Sequence, residues 1–317
     1  MLIDGQWQGK WKTDQKTDPK GRFLRPTSTI RNWITPDGRP GPTGRGGFAA
    51  EADRYHLYVA LICPWACRTL MARSLLGLQE AISVSIVNPT LTDRGWSFGG
   101  FPGATDDHLF GSDYLHQVYT RNDPHFSGAV SVPVLWDKQQ ECMVNNESAD
   151  ILRMLGTSFS ALTTGTPPDL YPQEHAAEID ALNKETYERL NNGVYRAGFA
   201  QSPAAYEEAY HQVFSTLDAL EQRLAGRDYL VADQLCETDI RVFVTLVRFD
   251  AAYYGLFKCN RRQISDYPNL WAYMKRIYAL PGVAKTVNLE HIKHGYYNLK
   301  TLNPLGIVPL GPEISFA

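Results

Sequence analysis

One cysteine stands where the sequence can activate a thiol for chemistry. Cys63 follows the apolar, β-branched and aromatic segment 55–62, which is typical of a strand, and precedes Pro64, which suits the first turn of a helix. A thiol at a helix N-terminus faces unpaired backbone N–H groups and the positive end of the helix dipole. Both favour the thiolate, which is the nucleophilic form. The alternative is a buried cysteine that only packs.

The other cysteines carry no comparable signal. Cys67 lies one helical turn after Cys63, but the pair has neither the Cys-x-x-Cys spacing of a dithiol oxidoreductase nor further Cys or His residues at metal-ligand spacing. Cys142, Cys236 and Cys259 are scattered along the chain. We therefore predict no metal site and no disulfide framework, and we interpret these four cysteines as packed thiols.

Two dipeptides near the end of the predicted first domain allow two interpretations each. Val132-Pro133 lies in a strand-like segment, so the proline either occupies an edge strand or forms a cis bond that presents backbone groups to a ligand. Glu147-Ser148 begins a helix-like segment. The pair either caps that helix or holds the amine and carboxylate of a ligand.

The second half of the chain contains several tyrosines within helix-like segments. Most helical tyrosines are half-buried packing residues, but a cluster that faces a cleft could bind an aromatic, hydroxylated substrate. The sequence pattern does not choose between these interpretations. The tyrosines are Tyr195, Tyr253, Tyr254, Tyr296 and Tyr297.

Composition limits the classes of partner. The chain has 317 residues, 44% of them hydrophobic and 21% charged, with a formal net charge of −3. This balance is ordinary for a globular protein and argues against nucleic acid or an anionic membrane as a partner. We find no phosphate-binding loop or dinucleotide fingerprint, so we expect no nucleotide. The sequence shows no secretory signal or apolar span, and we expect a cytoplasmic protein.

Elements that would position these residues fall into two groups. Residues 1–48 are rich in Gly, Pro and Thr and are interpreted as an N-terminal arm. Residues 49–162 predict an α/β domain with a mixed sheet. Its strands are predicted at 55–62, 81–87, 130–136 and 141–144, its helices at 63–77 and 147–155, and a long excursion at 88–128 includes a helix at 112–120.

After a linker at 163–168, the pattern becomes helical. Residues 169–300 predict an all-α domain, and residues 301–317 predict an irregular tail. The five predicted helices are 172–197, 203–224, 238–257, 267–279 and 283–293.

Taken together, this order of motifs resembles the glutathione transferase fold, in which a thioredoxin-like domain precedes a helical domain. In detail, it is similar to the Xi class, the glutathionyl-hydroquinone reductases, from about Arg31 to Pro309. The segments that carry the resemblance are Arg31-Asn32-Trp33-Ile34-Thr35, Tyr55-His56-Leu57-Tyr58-Val59, Cys63-Pro64-Trp65-Ala66, Val132-Pro133-Val134-Leu135-Trp136-Asp137, Asn146-Glu147-Ser148, Phe257-Lys258-Cys259-Asn260 and Tyr267-Pro268-Asn269-Leu270-Trp271.

The resemblance implies roles for individual residues and a homodimer. Cys63 would be the catalytic thiolate. Glutathione would be held by the Val132 backbone beside a cis Pro133, by Glu147 and Ser148 at the γ-glutamyl end, and by packing on Trp96. The hydroquinone would be bound by tyrosines, of which Tyr195 and Tyr296 would also assist proton transfer. These tyrosines are Tyr195, Tyr253 and Tyr296.

Three positions differ from the pattern of the class. Ala129 lies where the class commonly has an arginine that holds the glycyl carboxylate of glutathione. Cys67 replaces a common histidine, and Cys236 replaces the hydroxyl residue that usually caps the helix before Asp239.

The activity that the resemblance implies is removal of glutathione from glutathionyl-hydroquinones. A Cys63–glutathione mixed disulfide would form, and a second glutathione would release glutathione disulfide. Two alternatives are a conventional glutathione-conjugating transferase and a non-catalytic glutathione or aromatic-ligand binding protein. Conjugation prefers a Ser or Tyr beside the glutathione sulfur, whereas a cysteine favours exchange.

Overall fold

The chain divides into two compact units. The structure, a computed structural model, describes residues 1–9 and 17–316. Of these, 1–9 and 27–167 form the first unit, and 17–26 and 168–316 form the second. The predicted arm at 1–48 is therefore divided between the two units, and its residues 10–16 lie outside the described residues. The predicted tail is irregular over 303–316, and Ala317 lies outside the described residues.

A four-stranded mixed sheet forms the centre of the first unit. Its strands are β3 (Tyr55–Val59), β4 (Ile82–Ile86), β5 (Val134–Asp137) and β6 (Cys142–Asn145), and its helices are α1 (Pro64–Leu75), α2 (Leu115–Asn122) and α3 (Ser148–Ser158). The strand order is β4-β3-β5-β6, with β3 parallel to β4 and the other neighbours antiparallel. The parallel pair requires a crossover connection, which α1 provides.

This architecture confirms the α/β prediction and corrects two of its details. Strand β5 begins at Val134, between β3 and β6, and the Val132–Pro133 bond is cis, so the edge-strand interpretation of Pro133 is wrong. Helix α2 begins at Leu115 instead of residue 112. The reason is local, because the Gln117 side chain accepts a hydrogen bond from the Tyr114 N–H at 2.8 Å and caps the helix there.

A short hairpin at the start of the chain was not predicted. Strands β1 (Leu2–Ile3) and β2 (Gln6–Trp7) pair antiparallel around Asp4 and Gly5. Both turn residues have positive φ, 46° and 70°, as a two-residue hairpin turn favours. The Asp-Gly signal was present, but strands of two residues are too short to show an alternating pattern.

The regular elements of the second unit are helices and helical turns, which confirms the all-α prediction. Its α-helices are α4 (Ala176–Thr186), α5 (Gly193–Gly198), α6 (Pro203–Arg223), α7 (Glu237–Arg248), α8 (Pro268–Tyr278) and α9 (Leu289–Tyr297). Among the helices that the structure describes, none has both the length and the apolar character needed to cross a bilayer.

Three of the predicted helices in this unit differ from the structure. The segments 172–197 and 238–257 are not continuous, because π-helical turns at Tyr187–Asn191 and Phe249–Tyr253 interrupt them. The predicted helix 283–293 instead begins at Leu289. Its N-cap is Asn288, whose side chain accepts a hydrogen bond from the His291 N–H at 3.0 Å.

The N-terminus of α7 depends on one buried carboxylate. Asp239 is fully buried and accepts hydrogen bonds from the Cys236 N–H at 2.9 Å, the Leu230 N–H at 3.1 Å and the Tyr273 hydroxyl at 2.9 Å. Burial raises the pKa of Asp239 to about 6. Asp239 therefore links the start of α7 to α8 and to the loop before α7.

We expect Asp239→Ala to lower the free energy of unfolding by about 3 kcal/mol or more, because it leaves three buried donors without an acceptor. Urea denaturation followed by circular dichroism measures this change. The control is Glu185→Ala, which removes an exposed carboxylate on α4 and should change the free energy of unfolding by about 0.5 kcal/mol at most. A loss below about 1 kcal/mol in Asp239→Ala would contradict the assignment.

Candidate active site

Cys63 occupies the N-cap of α1, directly after the turn that follows β3. Its backbone is extended, with φ −79° and ψ 118°, and its N–H donates to the Ala60 carbonyl at 3.0 Å. The side chain is half-buried, and its thiol donates to the Val132 carbonyl at 3.8 Å. The structure thus brings the predicted nucleophile next to the predicted glutathione-binding backbone.

The backbone before β5 is constrained by a cis peptide bond and by a hydrogen bond from α2. Its cis Val132–Pro133 bond turns the chain into the strand. One residue earlier, the Ser131 carbonyl accepts a hydrogen bond from the Tyr119 hydroxyl of α2 at 2.9 Å. This contact fixes the backbone that leads to Val132. Ala129 lies in the same segment.

Glu147 is the N-cap of α3. One carboxylate oxygen accepts from the Ala149 N–H at 3.1 Å, and the other accepts from the Ser28 hydroxyl at 3.0 Å. The structure therefore shows the capping interaction that the residue types favour. A cap leaves lone pairs on a carboxylate available, so ligand binding by Glu147 stays a prediction.

Ser148 has a neighbour that the sequence analysis missed. Arg68 of α1 is buried, and its Nη1 donates to the Ser148 hydroxyl at 3.4 Å. Its guanidinium lies 4.5 Å from the centre of the Trp65 ring. A positive charge therefore lies behind the start of α3. Nothing in the spacing signals this, because Arg68 looks like an ordinary helical residue until α1 and α3 pack together.

A second basic residue that was missed supports the same helix. Arg31 forms a two-pronged ion pair with the Asp150 carboxylate in the first turn of α3, with Nη2 2.8 Å from Oδ1. The Asn145 side chain donates to that carboxylate at 3.2 Å. Residue spacing does not signal this ion pair, because Arg31 and Asp150 are 119 positions apart in the chain.

Trp96 lies in the long excursion between β4 and α2. Its indole is half-buried. Its backbone carbonyl accepts a hydrogen bond from the Leu115 N–H at 2.9 Å, so Trp96 is fixed to the first turn of α2.

Three predicted tyrosines of the second unit meet at their hydroxyl groups. The Tyr296 hydroxyl lies 2.6 Å from that of Tyr195 and 2.8 Å from that of Tyr253. Each comes from a different element, namely α5, the π-helical turn at Phe249–Tyr253, and α9. Tyr297, also on α9, places its hydroxyl against Gly255, where an added Cβ atom would lie 2.8 Å from that oxygen.

Electrostatics keep two of these phenols protonated. Burial, followed by the neighbouring Tyr195, raises the pKa of both Tyr253 and Tyr296 well above the ordinary value of 10. The buried Arg248 opposes this shift in both. Tyr195 also contacts a cation, because the Arg25 guanidinium lies 4.5 Å from the centre of its ring.

The π-helical turns explain why three hydroxyls can converge. A π-helical turn adds a residue to a helix and so changes which face the following side chains occupy. Tyr253 ends one such turn, and Tyr195 follows shortly after the other. In the latter, the Asn191 side chain donates to the Arg241 carbonyl at 2.9 Å and to the Thr245 hydroxyl at 2.8 Å, both on α7.

The remaining cysteines differ from Cys63 in their surroundings. Cys67 is buried, and its thiol donates to the Leu61 carbonyl at 3.4 Å. Burial raises the pKa of the Cys236 and Cys259 thiols to about 12 in each case, and it also raises that of Cys142. Within residues 1–9 and 17–316, no disulfide and no cluster of potential metal ligands is present.

Comparison with known protein families gives two matches. Residues 62–158 match the family model for the glutathione S-transferase N-terminal domain, and residues 203–276 match that for the C-terminal domain. These matches confirm the predicted fold, a thioredoxin-like domain followed by a helical domain.

Individual relatives are similar over nearly the whole chain. The glutathionyl-hydroquinone reductase YqjG of Escherichia coli K12 is 52% identical, covering 98% of this chain and 95% of the relative. The glutathionyl-hydroquinone reductase PcpF of Sphingobium chlorophenolicum is 47% identical, covering 98% of this chain and 96% of the relative.

Solved structures agree with this placement. The glutathione-bound structure of YqjG has a TM-score of 0.90 and 49% identity, covering 99% of this chain and 96% of that one. A Xi-class glutathione transferase from Natrialba magadii has a TM-score of 0.89 and 41% identity, covering 100% of this chain and 94% of that one. This chain belongs to the Xi class of the glutathione transferase family.

Proposed function

We propose that this chain is a glutathionyl-hydroquinone reductase that uses glutathione as its co-substrate. The observation that carries the proposal is the position of Cys63. Cys63 is the N-cap residue of α1, and its half-buried thiol lies 3.8 Å from the carbonyl of Val132, whose bond to Pro133 is cis. A thiol in this position suits exchange with a glutathione sulfur held by the adjacent backbone. The names of the relatives YqjG and PcpF support the same activity.

In the first step, the Cys63 thiolate attacks the sulfur of the glutathionyl-hydroquinone. A Cys63–glutathione disulfide bond forms, and the bond between that sulfur and the aryl carbon breaks. The electron pair goes to the aryl carbon, which takes up a proton, and the hydroquinone leaves. The sulfur atoms are oxidised and the aryl carbon is reduced.

In the second step, a glutathione thiolate attacks the glutathione sulfur of the mixed disulfide. Glutathione disulfide forms, and Cys63 leaves as a thiolate. The N–H groups at the start of α1 stabilise that thiolate as a leaving group. Over both steps, one glutathione and one glutathionyl-hydroquinone give one hydroquinone and one glutathione disulfide.

Binding of the tripeptide is assigned to the first unit. The Val132 backbone would pair with glutathione, and Trp96 would pack on it. The γ-glutamyl group would bind Glu147 and Ser148. The Arg68 guanidinium behind Ser148 supports this assignment, because it favours a carboxylate at that position.

Binding of the hydroquinone ring is assigned to the tyrosines of the second unit. Because burial keeps Tyr253 and Tyr296 protonated, their hydroxyls can donate hydrogen bonds to substrate oxygens. Tyr195 and Tyr296, whose hydroxyls are 2.6 Å apart, would also pass the proton that the aryl carbon needs.

We further propose a homodimer that works in the cytoplasm. Membership of the Xi class supports the dimer. A reducing compartment suits a reaction that consumes glutathione and requires a reactive thiol. Sedimentation velocity would test the assembly, with a monomeric mass contradicting it.

Cys63→Ser should abolish reduction of glutathionyl-hydroquinones, because a hydroxyl cannot form the mixed disulfide. After incubation with glutathione disulfide, the intact mass of the unsubstituted protein should increase by one glutathionyl group, and a reductant should remove it. The variant should show no such adduct at this position but should still bind glutathione in calorimetry.

The matched control is Cys67→Ser on the same helix, which should retain both the adduct and turnover. Turnover by Cys63→Ser, or an adduct that moves to Cys67, would refute the assignment of Cys63. Glutathione-conjugating activity that survives in Cys63→Ser would favour a conventional transferase.

Tyr296→Phe should lower kcat about 100-fold, because it removes the hydroxyl that contacts those of Tyr195 and Tyr253. Without it, the proposed proton transfer to the aryl carbon is lost. Glutathione affinity should not change. Because the pKa of Tyr296 is raised above 10, its deprotonation should cause no loss of activity between pH 7 and about 9. Tyr210→Phe, a ring that packs on Phe214, is the control. Equal kcat values for Tyr296→Phe and the unsubstituted protein would contradict the proposed role.

A further inference from the structure

The N-terminal hairpin, residues 2–7, is bonded to the segment that leads to β5. Leu2 and Gly128 exchange two backbone hydrogen bonds of 3.0 Å each, and the Gly5 N–H donates to the Phe126 carbonyl at 3.0 Å. The Asp4 N–H donates to the Ser127 hydroxyl at 2.8 Å. The segment that is bonded to the hairpin, 126–128, therefore ends four residues before Val132.

The second strand of the hairpin contacts the long excursion at 88–128 through the Trp7 side chain. Its indole N–H donates to the Asp93 carbonyl at 2.8 Å, and its ring stacks on His116 of α2 with centroids 4.9 Å apart and planes 20° apart. The ring also lies against Gly95, where a Cβ atom would be 2.7 Å from the Trp7 Cη2. Gly95 has a φ of +86°, so glycine suits both the turn and the close approach.

The stack continues beyond His116. The rings of His116 and Tyr114 are stacked, 5.5 Å and 8° apart, and the Arg94 guanidinium lies 4.2 Å from the centre of the Tyr114 ring. Trp7 and Arg94 are thus at opposite ends of one stack, and Arg94 belongs to the turn that Trp7 also contacts. The turn is fixed to the start of α2 by both.

This turn immediately precedes Trp96. Thr92 and Gly95 close it with two backbone hydrogen bonds of 3.1 and 3.0 Å. On its far side, Trp96 is fixed by the Leu115 N–H at 2.9 Å. The backbone of Trp96 is therefore held between the turn at 92–95 and α2, and Trp7 is the side chain that joins the hairpin to both.

We propose that Trp7 is a positioning residue for glutathione, which acts by holding the turn at 92–95 and thereby the indole of Trp96. The inference rests on the proposed contact between Trp96 and glutathione. A side chain that is fixed before its ligand arrives loses less conformational freedom on binding, so the benefit appears in affinity. Trp7 should therefore affect glutathione binding and leave the chemistry of Cys63 unchanged.

The side chains of the hairpin differ in exposure, so a positioning role for Trp7 can be tested separately from stabilisation of the fold. Leu2 is fully buried and belongs to the core of the first unit, whereas Trp7 is half-buried and its hydrogen bond to Asp93 is exposed. Ile3 on the same hairpin is 51% exposed. Leu2 thus accounts for the attachment of the hairpin to the core, and Ile3 offers a matched control.

The experiment compares glutathione affinities in the full chain by calorimetry. The variants are Trp7→Ala, Trp96→Ala, the double variant, Trp7→Phe and Ile3→Ala. We expect Trp7→Ala to weaken binding roughly tenfold, within the range for loss of a coupled positioning contact. The double variant should bind no more weakly than Trp96→Ala, because Trp7 acts through Trp96. Trp7→Phe keeps a ring on His116 and should recover part of the affinity, while Ile3→Ala should not change it.

Kinetics and stability provide the second readout. In Trp7→Ala, the KM for glutathione should rise while kcat at saturating glutathione stays within about twofold. The midpoint of thermal unfolding is measured for every variant, and affinities are compared at a temperature at which all of them are folded. Additive losses in the double variant, unchanged affinity in Trp7→Ala or in Trp96→Ala, or an equal loss in Ile3→Ala would overturn the inference. The proposed reductase function is judged separately, by turnover of glutathionyl-hydroquinones in the unsubstituted protein.

Discussion

The chemistry proposed for this protein depends on the junction between β3 and α1. The chain leaves a buried strand, turns, and begins a helix at Pro64, so Cys63 is the N-cap residue, at the positive end of the helix dipole. The same junction lies beside the Val132 carbonyl, because β5 pairs directly with β3. Sheet pairing thus brings the thiol and the cis peptide together, although 69 residues separate them.

The supporting charges follow from the packing of α1 against α3. Arg68 is buried where the two helices meet and contacts Ser148, and Arg31 pairs with Asp150 in the first turn of α3. Both guanidiniums lie near a helix N-terminus that also carries Glu147. The start of α3 therefore combines donors and acceptors in one place, which is the kind of surface that an amine and a carboxylate of one ligand require.

In the second unit, the corresponding constraint is the hydroxyl network of Tyr195, Tyr253 and Tyr296. The hydroxyls of the buried Tyr253 and Tyr296 and of the half-buried Tyr195 form short contacts of 2.6 and 2.8 Å. A buried hydroxyl needs a hydrogen-bond partner, either within this network or in a ligand. The two π-helical turns make this convergence possible, since they place tyrosines from separate helices on facing surfaces. Such turns cost regular helical hydrogen bonds and are frequent at functional sites, which supports the proposed role of the tyrosines.

Local sequence determined the strand before Cys63, the helix that Pro64 begins, the cap at Glu147, and the change from α/β to helical pattern, because each depends on neighbouring residues. The resemblance to the Xi class added roles that no pattern contains. The sequence pattern left the cis bond at Pro133 open, and the resemblance implied it. Only the tertiary structure decided the partners of Arg68, the π-helical turns, and the contact of Trp7 with the turn before Trp96. These features join residues that are distant in the chain or depend on packing, and local propensity carries no information about either.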